Sequence, residues 1–352
     1  MCLNRPVFRG LGVKIMPKIS VIMPIYQTRP DYLRQAVQSI LAQTFKDFEF
    51  LILNDSPDNT TLDKIIAEFS DSRIKFMRSH RNMGVAGAHN FLLKHAQGDY
   101  IAVMDHDDIS LPQRLEKQFA FLESHPNVGI CGTAYWRFGK WTKMRSIYPP
   151  EHHDDICALL LFKCPLHHPS AMIRRSVLVQ HQIAYDEHFI SLNDRKLYME
   201  IARYTRLANL NQVLYNYRLH KQMTSRIMHD EINREQLAYR DEVLKDYGII
   251  FDENDKYILN HYIFTGRTKI KNIEILPHID RILTRLVQEN QDKHFCDEAA
   301  LAGVCGRYLV KRCKNAACWG GISSSRVLAQ TTLPVVSVPW WLNILNRIGK
   351  VA

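Results

Sequence analysis

The chain has 352 residues and a mass of 41.0 kDa, with 46% hydrophobic and 23% charged residues. These are ordinary values for a globular protein with a sizeable core. They exclude a disordered, collagen-like or disulfide-framework chain, and no apolar run reaches the roughly 18 residues of a membrane span. The net charge of +10 lies at the ends. Arg307, Lys311, Arg312, Lys314, Arg326, Arg347 and Lys350 face no acidic residue in 299–352, and Arg5, Arg9 and Lys14 add the rest, so residues 17–298 are neutral. Charge placed this way suits an anionic membrane surface better than nucleic acid, whose binders carry charge on the folded body. A solvated tail is the other reading. Residues 1–16 read as an N-terminal extension without the apolar stretch of a signal peptide, and Met16-Pro17-Lys18 would serve as a start. A cytoplasmic protein is expected, at the inner face of the membrane if the tail docks there. None of the eight cysteines forms a C-x-x-C pair, which predicts reduced, buried thiols.

From Lys18 the chain alternates short apolar runs with amphipathic segments. Ile19–Met23 reads as a buried strand. Thr28, Pro30 and Asp31 then form a capping-box-like helix start, with Leu33, Val37, Ile40 and Leu41 on one face. Phe48–Leu53, Ile74–Phe76 and Tyr100–Met104 read as further strands, and Leu62–Phe69 and Val85–Ala96 as helices. The rhythm predicts an α/β fold, a mainly parallel sheet covered on both faces, with ligands beyond the carboxyl ends of its strands. Those ends carry Pro24-Ile25-Tyr26, Asn54-Asp55 and Asp105-His106-Asp107-Asp108. Beyond residue 226 the pattern becomes helical (Met228–Tyr247, Asp255–Phe264, Ile275–Asn290, Asp297–Ala317). The chain therefore divides into residues 17–226, a helical region 227–320, and a basic tail 321–352. In the tail, Trp341, Ile344, Leu345 and Ile348 share the face of an amphipathic helix. That face suits either a membrane surface or the protein's own helices.

The turn PIYQTRPD has no glycine, so the dinucleotide fingerprint is absent, and no segment has the P-loop spacing. Aspartates at a strand end are often solvated or capping, and Ser110 is placed to cap the helix that follows. Yet oxygen ligands two residues apart there can hold Mg²⁺ or Mn²⁺ against a diphosphate. His152-His153-Asp154-Asp155 looks metal-like but reads as a solvated loop after two prolines.

SVIMPIY, LILNDSPDNT, NMGVAGAHN, GDYIAVMDHDD with PQRLEKQ, HPSAMIRRSVL, YDEHF, ND and YRLH follow in one order. Together they resemble glycosyltransferase family 2, the inverting enzymes of the GT-A fold that use nucleotide-diphospho-sugars, over residues 18–226. The resemblance implies that Pro24 and Tyr26 flank the nucleotide and that Asp55 pairs with its base, usually uracil. It matches Asp105 and Asp107 to the D-x-D pair, His220 to a histidine completing a Mn²⁺ or Mg²⁺ site, and Asp194 to the general base. His167-His168-Pro169-Ser170 resembles an acceptor-side segment. Three positions depart from the pattern. LNDSP is one residue short, Asn193 replaces a glutamate, and His89 replaces an arginine beside the nucleotide. The implied partners are a nucleotide-sugar, expected from the Asp55 match to be a UDP-sugar, and a cell-surface or lipid-linked glycan, with no nucleic acid. Two other readings are a nucleotidyltransferase, whose glycine-rich basic loop is missing, and a sugar-nucleotide-binding module without turnover.

Overall fold

The structure, a computed structural model, describes residues 16–139, 144–189, 192–220, 223, 228–264, 270 and 272–334. Strands β1 (Ile19–Ile25), β2 (Phe48–Asn54), β3 (Ile74–Arg78) and β4 (Tyr100–Val103) run parallel in the order β3-β2-β1-β4. All of β2 and β4 is buried, as strands covered on both faces must be. Helices α1 (Pro30–Leu41), α2 (Thr60–Ile66) and α3 (Gly84–His95) are the crossovers. Leu33, Val37 and Ile40 of α1 are buried, as their spacing predicts. Thr28 does not cap that helix. Arg29 is the cap residue, with extended backbone and no side-chain cap bond, and it ion-pairs with Asp31 at 3.0 Å. β1 runs on to Ile25, which puts Pro24 inside the ladder opposite Leu53.

After β4 the sheet becomes mixed. β5 (Ile109–Ser110) pairs antiparallel with β9 (Arg206–Arg218). β6 (Val128–Phe138) runs parallel to β9 and antiparallel to β7 (Arg145–Ile147). β8 (Met172–Arg174) sits between β4 and β6, antiparallel to both. The order is β3-β2-β1-β4-β8-β6-β9-β5, flanked by α4 (Arg114–Ser124), α5 (His153–Leu160), α6 (Arg175–Gln180) and α7 (Asn193–Ala202). Ser110 belongs to β5 rather than capping α4, which starts at Arg114. His153 opens α5, and its Nδ1 accepts the Leu207 amide at 3.0 Å. The His152–Asp155 segment is therefore a helix start docked on β9, not a solvated loop.

The helical region comprises α8 (His229–Asp246), α9 (Glu253–Ile258), a π-helical turn (Leu259–Phe264), α10 (Ile275–Lys293) and α11 (Glu298–Gln330). The last helix passes through Gly320 and Gly321, where the sequence suggests that a tail begins. Ile279, Ile282 and Leu286 of α10 meet Leu301, Val304 and Leu309 of α11 in a core that also takes in Leu161, Phe162 and Leu192. Among the described residues six cysteines are free, and no helix is long and apolar enough to cross a membrane. Residues 1–15 and the expected amphipathic segment around Trp341 lie outside the described residues.

Candidate active site

β4 ends between β1 and β8, so the DHDD segment leaves the sheet where its strands change direction. The Ile109–Asn216 and Ser110–Tyr215 pairs fasten the next residues to β9. That fastening carries the end of β9 into the site. Arg218 donates its backbone amide to Asp108 Oδ1 and its Nε to the Asp107 carbonyl, each at 2.6 Å. His220 Nε2 lies 2.7 Å from Asp107 Oδ2.

Asp105, Asp107 and Asp108 each place a carboxylate oxygen within 4.8 Å of the others. Burial, then the Asp107 and Asp194 charges, pushes Asp105 up to about 7. Burial, then the Asp107 and Asp105 charges, raises Asp108 well above its ordinary value. At Asp107 burial also works upward, but the His220 hydrogen bond and the nearby His106 outweigh it and hold the carboxyl low. Asp108 Oδ2 is buried without a hydrogen-bond partner. Crowded carboxylates, an unused buried oxygen and one imidazole make the hard donor set that Mg²⁺ and Mn²⁺ take. The residues present fit such an ion.

Asp194 stands in the first turn of α7, where its Oδ1 accepts the Arg195 amide at 2.6 Å. Burial raises its carboxyl to about 6, against the opposing pull of the Arg195 amide and the Cys164 thiol. Asp194 and Asp105 line one cleft of about 440 Å³. Its wall includes His167, stacked on Tyr135 at 4.0 Å and edge-on to Tyr217 at 4.6 Å. Burial lowers His167 to about 3 and His168 well below its ordinary value. Both imidazoles are held neutral and line the cleft together with Pro169. Ser170 is buried beneath them, its hydroxyl donating to the His167 carbonyl.

Four predicted residues stand elsewhere. Tyr26 is solvent-exposed on the loop after β1, and Pro24 is within β1. Asp55, raised by burial, accepts the Met83 amide with both oxygens, at 2.9 and 3.1 Å, and so fixes the entry to α3. His89 is 2% exposed, held neutral by burial at about 4, with Nδ1 on the Val85 carbonyl at 2.7 Å. It packs against His168 and Tyr185 and is not on the cleft surface. Asp186 of YDEHF pairs with Lys196 and His188, which overcome burial and hold it at about 2. Sequence reasoning missed Arg218 and the role of Asp108. It also missed Arg114, which is fully buried and donates to the Val103 and Ala171 carbonyls.

The sheet thus sets an acidic trio beyond β4 and brings Asp105 of that trio and the buried Asp194 to one cleft. The sequence model described as Glycosyl transferase family 2 matches residues 20–198. An uncharacterized glycosyltransferase of Methanocaldococcus jannaschii is 32% identical over 214 residues, 59% of this chain and 73% of that protein. The O-antigen biosynthesis glycosyltransferase WbnJ of Escherichia coli is 29% identical over 221 residues, 61% and 85% of the two chains. Staphylococcus aureus TarS 1–349, solved in complex with UDP-GlcNAc, shares the fold with a TM-score of 0.55 at 18% identity, over 89% of this chain and 92% of that one. The chain belongs to glycosyl transferase family 2 and is a glycosyltransferase. That assignment decides against the nucleotidyltransferase reading.

Proposed function

We propose that the protein is an inverting, metal-assisted transferase that moves a hexose from a UDP-sugar to a hydroxyl of a cell-surface glycan. The observation that carries this reading is the pairing of Asp105 and Asp194 across one cleft. An inverting transfer needs one base for the acceptor proton and separate stabilisation for the leaving diphosphate. Asp194 has the environment of a base, since a carboxyl raised to about 6 by burial binds a proton more tightly than a solvated one. In its ionised form it takes the proton of the attacking hydroxyl, and the neutral His167 and His168 hold the acceptor's ring.

Asp105, Asp107 and Asp108, with His220 on Asp107, would hold a divalent ion. When bound, that ion neutralises charge on a departing phosphate. Pro24, Tyr26, Asp55 and His89 belong on this reading to the nucleotide side, Asp55 and His89 by shaping α3 and its entry. The UDP-GlcNAc complex of TarS and the O-antigen role in the name of WbnJ support the choice of donor and acceptor class. The six free thiols suit a reducing, cytoplasmic setting.

The test is a panel of nucleotide-sugars assayed for nucleoside diphosphate release with Mn²⁺ or Mg²⁺. Release from a UDP-sugar that stops in excess chelator is expected. Undiminished release in chelator rejects the metal, and release only from other nucleotides rejects the donor. No release from any donor points to a binding module without turnover.

A further inference from the structure

The cleft that contains Asp105 and Asp194 is also lined by Lys163. Lys163 leaves the turn after α5, which two buried arginines pin. Arg195 Nε donates to the Leu160 carbonyl, and Arg240 Nη2 donates to the Phe162 carbonyl at 2.9 Å. α11, which carries Arg307 and Lys311, packs against α5. Both are exposed and lie one helical turn apart, on the same face of α11. Burial, then the charges of Lys311 and Arg307, lowers the Lys163 ammonium below its ordinary value. The three cations therefore share one field. Asp155 faces Arg307 at 3.7 Å with both side chains about half exposed, a contact that neutralises little. Behind the turn Arg240 is 2% exposed, and its Nε and Nη1 have no hydrogen-bond partner.

A cation on the wall of a cleft, with two more acting on it from the neighbouring helix, makes a site for a polyvalent anion, and clustered Lys and Arg donors match phosphate oxygens. We infer that Lys163, Arg307 and Lys311 bind a phosphate carried by the acceptor, so that the hydroxyl offered to Asp194 belongs to a phosphate-linked saccharide. This rests on the glycosyltransferase reading of the cleft. It assigns the donor's diphosphate to the aspartate end and a second, acceptor-borne phosphate to the cationic rim.

The full chain is titrated with inorganic pyrophosphate in excess EDTA, so that no divalent ion draws the anion to the aspartates. UDP is titrated separately with Mn²⁺. Two variants are compared, K163Q/R307Q/K311Q at the rim and K64Q/K94Q/K117Q as a control of equal net charge. Wild type and control are expected to bind pyrophosphate alike, the rim variant at least tenfold more weakly, and all three to bind UDP equally. The single variant Lys163→Gln should show a smaller loss, and Lys163→Arg should restore binding. Equal pyrophosphate affinity in rim and control variants overturns the inference. So does a parallel loss of UDP affinity at the rim, because it gives the cations to the donor. Geranyl diphosphate and glucose 1-phosphate separate the sources. Whichever exceeds pyrophosphate in wild type and loses that advantage in the rim variant identifies a lipid-linked or a soluble phosphosugar acceptor. Pyrophosphate binding without any UDP binding counts against the donor reading on which the inference rests, and is thereby told apart from failure of the rim.

Discussion

Asp105, Asp107 and Asp108 crowd three carboxylates into a buried corner, and this has a measurable consequence for the metal-free protein. In the folded chain burial and neighbouring charge push Asp105 up to about 7 and Asp108 well above its ordinary value, whereas unfolded aspartates titrate at about 4. Over that interval the folded chain holds protons that the unfolded chain has released. Stability from this cluster therefore falls as pH rises from about 4 through about 7. Asp108→Asn removes one charge at constant size. It is expected to raise the metal-free melting temperature at pH 8 and to change it little at pH 5. Added Mn²⁺ should raise the wild-type melting temperature at pH 8. Thermal unfolding followed by circular dichroism at both pH values checks this, and a gain independent of pH contradicts it. The D-x-D pair is visible in the sequence because its spacing is local. Asp108 and Arg218 are not, since their contact joins residues 110 positions apart through the two-residue strand β5.

At the scale of elements, the parallel half of the sheet is tied at its amino end by one buried carboxylate. Glu49 of β2 is 3% exposed. It accepts the Ser20 hydroxyl of β1 at 2.5 Å and the Gln97 amide at 2.7 Å, and pairs with Lys75 of β3. Gly98 completes the tie, because a Cβ there would come within 2.5 Å of the Ser20 amide nitrogen. Burial works against ionised Glu49, but these bonds prevail and keep its carboxyl below the ordinary value. Its contribution is thus present at neutral pH and is lost as pH falls through the lowered folded value. Glu49→Gln should cost about 1–3 kcal/mol in urea unfolding at pH 7, with the gap closing in acid. An unchanged midpoint at pH 7 would show that the tie contributes nothing. Strands β1, β2 and β4 are legible as buried apolar runs between helical patterns. β8 is not, because three residues without a turn signal reveal neither strand nor direction. The π-helical turn and the passage of α11 through Gly320 and Gly321 likewise run against local propensity and are not legible in the sequence.

Over the whole molecule, chemistry is assembled from segments far apart in the chain. The acidic trio follows β4, His220 follows β9, and Asp194 opens α7. The helical region supports them indirectly, since its core includes Phe162, beside the Lys163 and Cys164 that line the cleft. Motif order makes the fold class and the site's aspartates readable, because Asp105 and Asp107 follow the end of a strand and Asp194 lies in the first turn of a helix. The aromatic and histidine wall is readable only in part. Tyr135 and Tyr217 meet His167 through the β6–β9 pairing, which no local pattern encodes.

The central claim is that Asp194 removes the acceptor's proton. Asp194→Asn keeps the size of the side chain and an oxygen for the Arg195 amide but cannot serve as that base. The most direct measurement is UDP release from the accepted UDP-sugar by wild type and Asp194→Asn across pH 5–8, with UDP affinity measured alongside. General base catalysis is typically worth about 10²–10⁴-fold, so turnover should fall by that order while UDP binds as before. In wild type, activity should rise with pH as the raised carboxyl ionises. Because burial raises the Asp194 carboxyl to about 6, this limb is expected at about that pH. The limb should be missing from the variant. Near-normal turnover in Asp194→Asn with the acidic limb intact would contradict the account.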